Sequence, residues 1–173
     1  MNNQPNPSVT AYIGLGSNLE SPVAQIKSAR LAIGALANVE ELVFSSLYAS
    51  SPMGPQDQPD YVNAVMSVTT CIPPLDLLLA LQAIELEHGR VRGVQRWGAR
   101  TLDLDLLLYG DQQIDTEELT VPHKGIAERA FVLYPLFDCT QDLIIPGKGK
   151  LSDILTHCPL AGLRRLNQDE SIV

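Results

Sequence analysis

The sequence predicts an α+β fold of the ferredoxin-like type, a βαββαβ plait in which helices pack on an antiparallel sheet, with C-terminal additions. Two observations carry that expectation. Strand-length apolar segments and two helix-length segments follow in the order strand–helix–strand–strand–helix–strand, with no internal repeat. The last strand, Leu102–Tyr109, alternates Leu102, Leu104, Leu106 and Leu108 against Asp103, Asp105, Leu107 and Tyr109. Its leucines therefore form one apolar row for a buried sheet surface, and its two carboxylates point the same way. The 173 residues suffice for one domain with a proper core. That domain is expected over 9–160, between a disordered tail at 1–8 and a C-terminal tail at 161–173.

In chain order, Val9–Leu15 is the first strand and runs into Gly14-Leu15-Gly16-Ser17-Asn18. This run reads as a tight strand-to-helix turn or as a ligand-facing loop. It is not a dinucleotide-binding GxGxxG, whose third glycine would fall at Leu19. Ser21-Pro22 is a cap followed by a first-turn proline, and opens a helix to about Leu36 with Val23, Ile26, Leu31 and Ile33 among its apolar positions. Val39–Ala49 is the second strand. Residues 50–60, SSPMGPQDQPD, hold three prolines and a glycine and form a loop of the kind that covers a site. Tyr61–Ile72 is the third strand and pairs with the second. Pro73-Pro74 starts the helix Leu75–His88, with Leu77, Leu81 and Ile84 on one face and Gln82 and Glu85 together on another. A second loop, 89–100, precedes the Asp-bearing strand. Beyond Gly110 the pattern predicts a small hairpin from Gln112–Asp115 and Leu119–Val121, a short helix around Glu128–Phe137, a turn at Pro146-Gly147 and a last helix near Leu151–Cys158.

Composition narrows the function classes. The net charge of −8 argues against general nucleic-acid or anionic-membrane binding. The twelve Lys and Arg are unevenly spread: none lies between 31 and 89, and then Arg90, Arg92, Arg96 and Arg100 fall within eleven residues. Such a local excess in an acidic chain suits one anionic ligand. Cys71, Cys139 and Cys158 form no CxxC pair, as expected of reduced thiols. MNNQPNPSVT has neither the basic start nor the apolar run of a signal peptide, and no apolar segment approaches the length of a membrane span. The expected location is the cytoplasm.

A D-x-D pair on a strand has two readings, solvated carboxylates on a wet sheet face or a metal pair. Two neighbouring carboxylates resist desolvation unless a cation or donors neutralise them. Carboxylates on alternate residues, about 7 Å apart at Cα, can converge on two cations about 4 Å apart. Magnesium takes few protein ligands and completes its shell with phosphate oxygens and water. Leu107 and Tyr109 share the carboxylate face, which favours the metal reading over a polar outer surface. The arginines read as a solvated basic loop or as a polyphosphate clamp, and arginine matches phosphate oxygens bidentately. Gly89, Gly93 and Gly98 would let that loop open and close. Trp97, the only tryptophan, fits a lid contact better than core packing there. His123 is a phosphate donor, a base or an ordinary turn residue. His88 and His157 end helices, where a cation is favoured.

The runs GPQDQPDYVNAV (54–65), RWGARTLDLDLLLYG (96–110), LTVPH (119–123) and ERAFVLYPL (128–136) resemble the bacterial 6-hydroxymethyl-7,8-dihydropterin pyrophosphokinase family, over about Ala11 to Leu155. The resemblance implies transfer of a pyrophosphoryl group from ATP to the pterin's hydroxymethyl oxygen, releasing AMP, in folate biosynthesis. It implies that Asp103 and Asp105 are catalytic and ligate two Mg2+ ions, and that Arg90 and Arg100 are catalytic. It matches Gln82, Glu85, Arg92, Arg100, Leu106, Thr120, His123 and Arg129 to positions around ATP. It matches Ser50, Ser51, Met53, Tyr61, Asn63, Trp97 and Phe131 to the pterin slot. A flat heteroaromatic ring wants aromatic faces, and its edge wants an amide that both donates and accepts. The partners are then ATP and a reduced pterin, without nucleic acid or membrane. Two positions depart from the family's pattern: Ser50-Ser51 stands where relatives often have Thr-Pro or Glu-Pro, and Glu118 where some carry arginine near ATP. A nucleotide sensor would keep the arginines without a pterin slot. An RNA-binding plait would want a basic sheet face, against which the central acidic pair speaks.

Overall fold

In the computed structural model, the residues described are 7–19, 21–51, 59–89, 102–160 and 162–167. The elements follow as β1 (Val9–Ser17), α1 (Pro22–Gly34), β2 (Val39–Phe44), β3 (Tyr48–Ser50), β4 (Tyr61–Thr70), α2 (Pro74–Glu87), β5 (Asp103–Tyr109), β6 (Ile114–Asp115), β7 (Thr120–Val121), α3 (Ala130–Cys139), β8 (Ile144–Ile145), β9 (Gly149–Lys150), α4 (Leu151–Thr156) and β10 (Arg164–Arg165). The principal sheet is antiparallel in the order β10-β3-β4-β1-β5, with β2 also paired to β4. This is the predicted α+β plait with its additions, and β6–β7 is the predicted hairpin.

The two faces of the sheet carry separate cores. On the first, Ala11, Ile13 and Leu15 of β1, Val62, Met66 and Val68 of β4 and Leu102, Leu104 and Leu106 meet Val23, Ile26 and Ile33 of α1 and Leu77, Leu81 and Ile84 of α2. On the second, Tyr12, Val65, Leu107 and Leu108 meet Val132, Leu133 and Leu136 of α3, with Ile145 and Leu151. Period-2 alternation on β1 and β4 produces this division. Leu81 is fully buried in the first core. Leu81→Ala is expected to cost about 3 kcal/mol, read as a lower urea midpoint at unchanged m-value.

Several details differ from the sequence reading. The predicted strand Val39–Ala49 is two strands, because side chains interrupt its ladder at Ser45–Leu47. Ser45 N–H donates to Val65 O at 2.9 Å, Val65 N–H donates to Ser45 Oγ at 2.9 Å, and Ser46 N–H turns to Asp138 Oδ2 at 3.2 Å. The leucine row of the Asp-bearing strand is broken too. Tyr12 pairs with Leu108 but Ile13 with Leu106, so Leu107 is an extra residue in a β-bulge. Beyond it the faces exchange: Leu108 joins the second core and Tyr109 the first. Ser21 makes no side-chain cap; it sits at φ 60°, and its carbonyl takes the Gln25 N–H. Leu31 is 74% exposed, and Ala29 fills its expected place in the α1 face. Helix α1 stops at Gly34, and Asn38, at φ 64°, makes the left-handed turn into β2. Gly14 and Gly16 belong neither to a turn nor to a loop but to β1 itself, paired on both sides. At the C-terminal end, Arg164–Arg165 adds an edge strand to β3.

Candidate active site

The register of the sheet assembles one end of its second face. Gly16 of β1 lies opposite Asn63 of β4 on one side and Asp103 of β5 on the other, and Asn63 in turn lies opposite Tyr48 of β3. Two residues back along β1, Gly14 lies opposite Asp105. An amide and a carboxylate thus stand two strand spacings apart, about 10 Å between backbones, with only glycine between them. Ser50, opposite Tyr61, accepts a hydrogen bond from Asn63 Nδ2 at 2.7 Å. That bond uses one of the amide's two N–H groups on Ser50 and leaves Oδ1 facing the glycine. Phe131 and Val132, in the first turn of α3, close the slot from above; Leu15, Ser51, Ala64 and Arg129 complete its lining.

A second cleft lies beyond β5, the sheet's edge strand. Its walls are Leu78 and Gln82 of α2, Leu106 of β5, Glu118, Leu119 and Thr120 at the β6–β7 hairpin, and His123, Lys124 and Arg129. Asp103 and Asp105 line both clefts, and so does Arg129. The edge is held by neighbours on either side. Glu85 Oε2 accepts the Leu104 N–H at 2.9 Å, and the His123 N–H donates to Leu107 O at 3.0 Å. Glu85, grouped with the nucleotide positions by resemblance, is 1% exposed and does not line this cleft; it braces the backbone between the two aspartates.

His123 faces Asp105, with Nε2 3.8 Å from Oδ1. The Gly125 N–H donates to His123 Nδ1 at 3.2 Å, so Nδ1 is an acceptor and the neutral ring carries its proton on Nε2, toward the carboxylate. Burial, and then the Arg129 guanidinium, push the imidazole below its ordinary value, with Asp103 opposing them. The ring is therefore a neutral N–H donor at neutral pH. The Arg129 guanidinium lies 5.7 Å from the Phe131 ring centroid and across Gly125, where a β-carbon would collide with it.

Asp103 and Asp105 fit a hard divalent cation. They are oxygen donors on one sheet face, and the Asp105 side chain is 35% exposed, which leaves room for water or phosphate oxygens in the shell. No cluster of three or more His, Cys, Asp or Glu that could hold a metal occurs among the described residues. Magnesium needs none.

Of the residues singled out from sequence, Asp103, Asp105 and Arg129 join the two clefts, Ser50, Ser51, Tyr61, Asn63 and Phe131 line the first, and Gln82, Leu106, Thr120 and His123 line the second. Arg90, Arg92, Arg96, Arg100, Trp97 and Met53 lie outside the described residues. Sequence reasoning left Gly14 and Gly16 between a tight turn and a ligand-facing loop, and did not single out Val132 and Lys124. The available signal for the glycines was their spacing of two inside an apolar strand.

A sequence model of the family 7,8-dihydro-6-hydroxymethylpterin-pyrophosphokinase (HPPK) matches residues 12–141. The chain belongs to the HPPK family. It is 52% identical to the 2-amino-4-hydroxy-6-hydroxymethyldihydropteridine pyrophosphokinase of Haemophilus influenzae over 147 residues, 85% of this chain and 91% of the relative. Against the Pseudomonas aeruginosa protein of the same name it is 52% identical over 155 residues, 90% and 95% of the two chains. A crystal structure of a Plasmodium falciparum HPPK-DHPS triple mutant superposes with a TM-score of 0.71 at 14% identity, over 90% of this chain and 44% of that one. That likeness shows the HPPK fold in a longer protein. The two clefts and the acidic pair of this HPPK chain lie within the span matched by the family, and β8, β9, α4 and β10 lie beyond it.

Proposed function

We propose that this chain transfers a pyrophosphoryl group from ATP to the hydroxymethyl oxygen of 6-hydroxymethyl-7,8-dihydropterin, giving the pterin diphosphate and AMP, as a step of folate biosynthesis. The observation that carries this reading is the meeting of two clefts at Asp103 and Asp105. A transfer between two substrates needs two beds that share their reacting ends.

The pterin would lie in the glycine-floored slot, its ring against Phe131 and Tyr61 and its edge on the Asn63 amide. The nucleotide would lie beyond β5, among Gln82, Leu106, Thr120, His123 and Arg129, with Glu85 bracing the strand. The pterin's hydroxyl oxygen forms a bond to the β-phosphorus, the bond from that phosphorus to the α,β-bridging oxygen breaks, AMP leaves with the electron pair, and the hydroxyl proton passes to water. Phosphoryl transfer asks a protein mainly for positioning and charge neutralisation, so no dedicated base is required. Two Mg2+ ions, held by Asp103 and Asp105, would supply that neutralisation at the phosphate oxygens. Neutral His123 can donate its Nε2–H to a phosphate oxygen, and Arg129 spans both beds. By resemblance Arg90, Arg92 and Arg100 would engage the triphosphate, with Met53 and Trp97 on the pterin. A cytoplasmic monomer completes the reading, consistent with three cysteines outside any disulfide and no helix among the described residues long and apolar enough to cross a membrane.

The test is incubation with ATP, Mg2+ and 6-hydroxymethyl-7,8-dihydropterin, followed by phosphorus NMR. AMP with a pterin diphosphate is the expected result. ADP would make the chain an ordinary kinase, and unchanged ATP would make it a binder.

A further inference from the structure

We propose that the C-terminal segment 162–167 is a positioning element for the pterin-side cleft, acting chiefly through Arg165. The proposal rests on the pterin reading above and extends it to residues that line neither cleft.

Strand β3 is three residues long, and its last residue, Ser50, holds the Asn63 amide. So short a strand does not fix itself. Strand β10 pairs with its outer edge, Arg164 opposite Ala49 and Arg165 opposite Tyr48, and the Leu166 N–H donates to Leu47 O at 2.8 Å. Leu163 is buried beside it. Side chains then tie this pairing to the opposite wall. Arg165 donates to Tyr48 Oη from Nη2 at 2.9 Å and Nε at 3.3 Å, and Nη2 also donates to Asp138 Oδ1 at 2.8 Å. Asp138 Oδ2 in turn accepts from the Tyr48 hydroxyl at 2.8 Å and the Ser46 N–H at 3.2 Å. Asp138 lies at the C-terminal end of α3, whose first turn brings Phe131 and Val132 over the slot. The Arg165–Tyr48–Asp138 cluster thus fastens together the two elements, β3 and α3, that wall the pterin side. Gly162, at φ +84°, passes close to Ser51, since a β-carbon there would stand 3.8 Å from Ser51 Oγ.

The geometry also gives the effect a direction. β10 and β5 lie at opposite ends of the strand path β10-β3-β4-β1-β5, so the clasp sits at the far side from the nucleotide cleft. A role in overall stability alone would weaken both ligands together; a positioning role weakens the pterin selectively. Arg165 is 58% exposed, and when it is replaced Asp138, 19% exposed, keeps the Tyr48 hydroxyl and the Ser46 N–H as donors.

The experiment uses the full chain as wild type, Arg165→Ala and Arg165→Lys. Two quantities are read: amide hydrogen exchange of 46–51 in the unliganded protein, and affinities for α,β-methylene-ATP with Mg2+ and for 6-hydroxymethylpterin in the presence of that complex. Arg165→Ala is expected to speed exchange in 46–51 and to weaken pterin binding about tenfold, with the nucleotide unchanged and Arg165→Lys restoring most of the loss. Unaltered exchange and pterin affinity in Arg165→Ala would overturn the proposal, as would equal weakening of both ligands alongside a lower thermal midpoint. If wild type fails to bind the pterin, the pterin reading falls; exchange of 46–51 still decides whether the clasp exists.

Discussion

Asp105→Ala is expected to lower turnover about 10³-fold at saturating substrates while leaving stability within about 1 kcal/mol of wild type. The asymmetry follows from what the carboxylate does in each state. In the unliganded protein Asp105 is part-exposed, near a neutral imidazole at 3.8 Å and two residues along the strand from a second carboxylate on the same face. Removing it gives up contacts of a part-exposed carboxylate and relieves a like-charge neighbour, small effects of opposite sign. With substrates bound, the same group would face the most concentrated negative charge in the molecule. There its loss removes half of the protein's oxygen donors for cations at the junction of the clefts. Asp105→Asn keeps the size and the acceptor oxygen but not the charge, so it should lose nearly as much rate as the alanine. Raised Mg2+ should recover part of the loss in either variant. The check is AMP formation followed by phosphorus NMR, beside urea denaturation of the same preparations. A variant with near wild-type turnover would remove the metal role from Asp105.

The sheet and the chain order of its elements were legible from sequence because apolar, strand-length segments alternate there with helix-length ones; the order of strands across the sheet was not. The acidic pair was legible because alternation alone puts Asp103 and Asp105 on one side. What patterning could not reveal was where it breaks. The Leu107 bulge inserts one residue, and leucine on both sides of the insertion hides the exchange of faces that follows. Ser45 interrupts β2 from β3 through a hydroxyl that stands in for backbone, which a run of strand-forming residues does not announce. Glu85 reads from sequence as a polar helix residue near its partner Gln82, yet it is buried because an edge-strand N–H nineteen residues later needs an acceptor. The Arg165–Asp138–Tyr48 cluster joins residues 117 and 90 apart in the chain, and no local pattern carries such a contact.

Gly16→Leu is expected to abolish pterin binding at accessible concentrations, a loss of about 10²-fold or more, while nucleotide binding is kept. Gly16 is the floor of the slot, directly between Asn63 and Asp103. A β-carbon there would stand 3.3 Å from Asn63 Oδ1 and 4.0 Å from Tyr61 Cδ1, so even alanine crowds the amide that holds Ser50. Leucine adds three further carbons along the only open direction, over the sheet and into the volume the ring would occupy. Its backbone is tolerant, because Gly16 does not require a positive φ and a strand accepts leucine. Folding should therefore survive, and the defect should be confined to one ligand. Gly16→Ala should fall between, about tenfold weaker for the pterin, since Asn63 must shift by a few tenths of an ångström or lose its bond to Ser50. Isothermal titration with α,β-methylene-ATP and then with 6-hydroxymethylpterin separates the two beds. If Gly16→Leu binds the pterin as wild type does, the ring lies elsewhere, and the glycines of β1 need another explanation. The graded series, glycine to alanine to leucine, also distinguishes filling of the slot from a general loosening of β1, which would weaken both ligands together through the neighbouring aspartates.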